Sequence, residues 1–113
     1  MCNKSVLDEI TITVVNAAKE SLGERLDKVI LYGSYARGDF DEYSDIDIMI
    51  LADIQRENAY STKSRIRDII GDIDLLHNVV LSIHVVDCAT FYQFMNDLPF
   101  YSNVNKEGVL LSA

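Results

Sequence analysis

Two short patterns carry side chains able to do chemistry: Gly33-Ser34 and, after ten intervening residues, Asp45-Ile46-Asp47. Alternate residues of a β-strand point to one face and stand about 6.6 Å apart along the chain. Two carboxylates so placed, on a strand otherwise rich in Ile and Met, repel each other and lose hydration. A divalent cation relieves both costs. Mg²⁺ suits the site because it takes oxygen ligands from one or two carboxylates and completes its shell with substrate phosphates. Two such ions would polarise an α-phosphate and activate a hydroxyl nucleophile. Gly33 directly follows the apolar run Lys28 to Tyr32, and a glycine at a strand end lets backbone approach a ligand closely. Ser34 adds a hydroxyl and is placed to open a short helix whose first N–H groups would face an anion. A phosphate cradle beside a carboxylate pair is the minimum equipment for phosphoryl or nucleotidyl transfer. Separately both patterns are common, in turns and on solvated strand faces. Their conjunction, with a strand at each, carries the inference.

The elements that must position these residues are legible in the periodicity. Leu7, Ile10, Val14, Ala17 or Ala18, and Leu22 return every three or four residues and predict a helix over 4–23 ending at Gly23, against the strand-like run Thr11 to Val15. Residues 28–33 and 45–51 predict two strands joined by a turn or short helix at 34–38 and a polar loop at 39–44. Ile66, Ile69, Ile70, Ile73 and Leu76 mark one stripe of an amphipathic helix over 57–76. A third strand is predicted at 79–86. A helix follows from about Cys88 to Asp97, ended by Pro99, and the tail holds a helical turn and a short strand at 109–111. The order α-β-β-α-β-α predicts an α/β (α+β) fold, a small mixed β-sheet flanked by helices, in a single domain spanning 1–113.

Composition sets the outer bounds. Of 113 residues, 49% are hydrophobic, enough for one core. Ten basic residues against 18 acidic ones leave a net charge of −8. That disfavours a broad nucleic-acid surface but not a triphosphate, which metal ions and backbone N–H groups can hold. Cys2 and Cys88 form neither a disulfide framework nor a metal-ligand pattern, and a reducing cytoplasm is the simplest context. The polar start Met1-Cys2-Asn3-Lys4 does not read as a signal segment. No apolar run approaches the roughly 20 residues needed to span a bilayer, so a cytoplasmic protein without a membrane partner is expected.

The segment 33–47 resembles the signature of the polymerase-β-like nucleotidyltransferase superfamily, in its minimal branch. Gly33-Ser34 matches the phosphate-binding Gly-Ser, Tyr35-Ala36-Arg37-Gly38 its usual continuation, and Asp45 and Asp47 its two metal-binding aspartates. The resemblance implies a mixed sheet flanked by helices and transfer of a nucleoside monophosphate from a triphosphate, with Mg²⁺ and ATP, or another nucleoside triphosphate, as cofactors. Several short members of the family resemble antitoxins that act beside an HEPN-domain toxin, sometimes by adenylylating it. With little chain left for a substrate-binding domain, the acceptor is expected on a partner protein or at a homo-oligomer interface. One departure stands out. The family places a third aspartate on the next core strand, expected near Ser82, where this chain reads Leu81-Ser82-Ile83-His84-Val85-Val86-Asp87. By alternation Ser82 and His84 share a face. Asp87 is on the other face and reads as a helix N-cap. The rival function is therefore a non-catalytic nucleotide-binding or partner-masking module.

The remaining candidates have competing readings. His84 is either a base or metal contact in place of the missing carboxylate, or a packed strand histidine. Arg37 either contacts phosphate or pairs with Asp39 or Asp45 to fix the loop. The Arg37-Gly38-Asp39 tripeptide is a coincidence. Lys63, Arg65 and Arg67 form a solvated helix face or a partner contact. His77 is a surface residue near a helix end, and Cys88 a small, partly buried thiol without an activating base.

Overall fold

The computed structural model of the protein describes residues 3–41 and 43–112. Cys2 and Glu42 lie outside the described residues. The first helix, α1 (Lys4–Leu22), opens on the Asn3 side chain, which accepts from the Val6 N–H at 2.9 Å, and stops at Gly23. The β-branched run inside it is helical because Ile10, Val14, Ala17, Ala18 and Leu22 bury one stripe. The Thr11 and Thr13 hydroxyls donate back to the carbonyls of Asp8 (3.1 Å) and Glu9 (2.8 Å).

Strand β1 (Leu26–Tyr32) leads into the one-turn helix α2 (Ser34–Arg37), and β2 (Ile46–Ala52) follows the polar loop. Next come α3 (Ala59–Ile70) and α4 (Ile73–Leu76), then β3 (Leu81–Asp87), α5 (Cys88–Phe94), α6 (Pro99–Glu107) and β4 (Val109–Ser112). The single helix expected over 57–76 is thus divided. Gly71, at φ +62°, ends α3, a backbone conformation that favours glycine. The break takes the stripe out of register: Ile66, Ile70 and Ile73 are buried, but Ile69 is 43% and Leu76 81% exposed. Pro99 opens α6 rather than merely ending α5, since a first-turn residue needs no N–H. Helix α6 is nine residues long where only a helical turn was expected. Of its residues only Val104 is buried, so the periodic signal is thin.

The four strands form one mixed sheet in the order β3-β2-β1-β4. Strand β1 is antiparallel to β2 and to β4, and β2 is parallel to β3. One face, with Val29, Leu31, Ile46, Ile48, Ile50 and Ile83, packs against α1 and α3. The other face, with Ile30, Tyr32, Met49 and Leu51, packs against Phe91 of α5 and Val104 of α6. The register sets a row of cross-strand neighbours on this second face, Tyr32–Asp47–Ser82, and beside it the row Ile30–Met49–His84. Asp87 is on the opposite parity, buried, and caps α5 by accepting from Thr90 N–H (2.9 Å) and Oγ1 (2.8 Å), as its position before a helix suggested. No described helix is long and apolar enough to cross a membrane.

Candidate active site

The chemistry-bearing residues meet where β1 ends and β2 begins. Gly33 has φ +74°, and a Cβ there would run into the Asp47 carboxylate. The backbone at Gly33 therefore lies directly against that carboxylate, a closeness only glycine permits. Gly33→Ala is accordingly expected to lower stability by about 1–3 kcal/mol through strain. It should also displace Asp47, which thermal unfolding and Mg²⁺ titration of the same variant would read together. In the turn that follows, the Gly33 carbonyl accepts from Ala36 N–H (3.2 Å) and Arg37 N–H (3.1 Å). Tyr35 is buried and stacks on Phe40 with centroids 4.3 Å apart and an interplanar angle of 9°, which pins α2 to the sheet's first face.

Asp47 lies within β2 and is half-buried. Asp45 stands one residue ahead of the strand and is exposed, so the pair straddles the strand's start rather than sharing it as expected. The Asp47 carboxyl is held above the usual carboxylate range, first by burial and second by the charge of Asp45; His84 and Arg37 offset this in part. This is the like-charge, desolvated arrangement that a cation relieves. The donor set is all oxygen, which fits Mg²⁺ rather than a thiophilic metal. Among the described residues no group of three or more His, Cys, Asp or Glu gathers as a metal site. Two carboxylates alone leave most of an octahedral shell to water and phosphate oxygens.

Arg37 pairs with Asp39 (3.1 Å) as the sequence suggested, and also with Glu107 of α6 (3.5 Å); Asp45 is not its partner. Solvent screens exposed pairs of this kind, so a phosphate could displace them at little cost. Ser82 is half-buried beside Asp47 on the neighbouring strand. His84 is exposed, and its Nδ1 is hydrogen-bonded to the Tyr32 hydroxyl. Burial, and secondarily the charge of Asp47, raises the Tyr32 phenol above its ordinary pKa, so it stays protonated and can donate. The bond to Tyr32 occupies Nδ1, so only Nε2 of His84 is left open to another partner.

Tyr32, Phe100 and Glu107 were not singled out from the sequence. Tyr32 read as an apolar strand residue, although its place directly before Gly33 was a signal. Phe100 meets Tyr32 (5.7 Å, 81°) and His84 (6.0 Å, 79°) edge-on. Together with Gly33, Arg37 and Glu107, Tyr32 and Phe100 line a cavity of about 200 Å³. Phe100 and His84 also border a cavity of about 320 Å³ along the β3 edge.

The other candidates lie elsewhere. Arg67 joins α3 to β3 through the Leu81 carbonyl (2.6 Å) and Asp74 (3.3 Å), so it is structural rather than a free cation. His77 faces Glu9 at 3.1 Å. Burial, then Asp27 and Asp53, pushes the Cys88 thiol up to about 11, which leaves it protonated and unreactive.

Residues 13–111 match the model of the nucleotidyltransferase domain. The chain belongs to the nucleotidyltransferase domain family. This nucleotidyltransferase domain is 35% identical over 97 residues to "Putative protein adenylyltransferase MJ0604" of Methanocaldococcus jannaschii, covering 86% of this chain and 89% of that protein. It is 41% identical over 80 residues to "Putative protein adenylyltransferase MJ0141" of the same organism, covering 71% and 79% of the two chains. A solved toxin–antitoxin structure with AMP-PNP shares the fold, at a TM-score of 0.55 and 18% identity, over 91% of this nucleotidyltransferase domain and 73% of that chain. The expected fold, a mixed sheet flanked by helices, is thereby borne out.

Proposed function

We propose that the protein transfers AMP from Mg²⁺-bound ATP to a hydroxyl group on a partner protein. The observation that carries this reading is the packing of Gly33 against Asp47, which joins the phosphate-binding turn and the carboxylate pair in one place. Asp45 and Asp47 hold the metal, Gly33 and Ser34 hold the β- and γ-phosphates, and Arg37 contacts a phosphate after releasing its exposed carboxylates. When bound, Mg²⁺ would supply charge neutralisation at the transferred phosphate. Attacking and leaving oxygens lie roughly in line in such transfers. With pyrophosphate leaving at the end of β1, the acceptor hydroxyl approaches over β3, past Ser82 and His84. The names of the curated relatives favour a protein acceptor, and the toxin–antitoxin neighbour favours a cognate toxin, which we take to be an HEPN-domain protein.

ATP labelled at the α-phosphate should leave label on the partner, and ATP labelled at the γ-phosphate should not. The opposite pattern would mean phosphoryl transfer and overturn the reading. Ser34→Ala should weaken ATP binding by about 1–2 kcal/mol, the order of one hydrogen bond to a charged group. Comparing ATP with ADP by calorimetry shows whether the lost contact is to the terminal phosphate. A second reading has its own support: β3 presents Ser82 and His84, and no carboxylate, to the site face, while Asp87 is committed to capping α5. On that reading the protein binds nucleotide and masks its partner without transfer, and neither label would move.

A further inference from the structure

A second polar cleft lies at the opposite end of the sheet, where β1 begins and β2 ends. It measures about 350 Å³ and is lined by Ser21 of α1, Arg25, and Asn58, Ser61, Thr62 and Arg65 at the start of α3. Strands of seven residues separate it from Gly33 and Asp47, a span of about 20 Å.

Its chemistry is that of an oxyanion site. Among the described residues no carboxylate lines it. Among the described residues neither Arg25 nor Arg65 enters an ion pair, although acidic residues outnumber basic ones 18 to 10. The Ser21 hydroxyl oxygen is buried and has no hydrogen-bond partner among the described residues. The Asn58 carbonyl receives Ser61 Oγ (3.0 Å) and Thr62 Oγ1 (2.8 Å), and Arg65 Nη2 donates to Thr62 Oγ1 (3.3 Å), so the wall is held in place. Asn58 precedes the twelve-residue helix α3 without a side-chain capping bond. The positive end of that helix therefore adds to the two guanidinium groups. Arginine suits phosphate through its planar fork of donors, and the volume is at the lower end of small-molecule sites.

We propose that this cleft binds the phosphate group of a small molecule through Arg25 and Arg65. The site is separate from the nucleotide site and does not depend on its assignment. The test is thermal unfolding of the full chain in chelator, with 10 mM inorganic phosphate or 10 mM AMP against NaCl of matched ionic strength. Wild type should rise by about 5 °C with phosphate but not with chloride, the shift of a ligand held at about 1 mM. Arg25→Gln combined with Arg65→Gln should abolish the rise. Both side chains are exposed, so the variant should fold, and its response to Mg²⁺ with ATP should match wild type. Each single variant, read by ³¹P line broadening of phosphate, gives the same answer if the double variant does not fold. A larger shift with AMP that is lost in the double variant assigns the phosphate to a nucleotide, and equal shifts assign it to free phosphate. An equal rise in matched chloride, or an undiminished rise in the double variant, overturns the proposal.

Discussion

Asp47→Asn is expected to cut Mg²⁺-dependent transfer by more than about a hundredfold, since a metal's stabilisation of transition-state charge is worth several kcal/mol. The same change should leave the metal-free protein folded and more stable at neutral pH. The two effects have one cause. Asp47 is partly desolvated, faces the charge of Asp45, and is packed under Gly33. Because the fold raises its pKa, its stabilising contribution is complete below the unfolded value of about 3.9. That contribution is lost as pH rises through the higher folded value. An asparagine of equal size should flatten that part of the pH–stability curve and raise the melting temperature at pH 7. Transfer assays alongside apo melting curves from pH 3 to 8 check both halves. Loss of activity accompanied by loss of apo stability would instead mark Asp47 as a structural residue.

The second large effect is expected as a gain. Ser82 sits beside Asp47 on the adjacent strand and the same face of the sheet, with strands about 4.8 Å apart. Ser82→Asp would place a third carboxylate where the site lacks one, and should raise transfer to the partner by about tenfold or more by helping to hold the metal that activates the acceptor hydroxyl. The cost is paid in the apo state: a third like charge should lower the melting temperature, and Mg²⁺ should restore it. If wild type already transfers fast and Ser82→Asp abolishes it, the third-position assignment fails. His84→Ala would then be decisive, because a large rate loss would show the imidazole, oriented by Tyr32, in that role.

What the sequence revealed and what it hid follow from how local each signal is. Helix α1 was legible because its burial repeats along the chain with a fixed period, and β1, β2 and β3 because they are short apolar runs. The turn at Gly33-Ser34 and the pair Asp45 and Asp47 were legible as residue types at fixed spacing. The Gly33–Asp47 contact was not, because it depends on the antiparallel pairing of β1 with β2, which sets Tyr32 opposite Asp47. The Tyr32–His84 bond joins residues 52 apart across an intervening strand. Glu107 reaches Arg37 from α6, a helix whose largely exposed residues give little periodicity. Arg67 read as a surface cation because its partner, the Leu81 carbonyl, is a backbone atom on another element.

The site joins a carboxylate pair too poor in ligands to hold a metal firmly with a turn suited to phosphates, so metal and nucleotide should bind together. Calorimetric titration of ATP into the wild-type protein, with Mg²⁺ and then with chelator, tests that coupling most directly. Binding at least about tenfold tighter with Mg²⁺, and loss of that gain in Asp47→Asn, is the expected result. Equal affinity with and without the metal, or an unchanged Mg²⁺ effect in Asp47→Asn, would contradict the account.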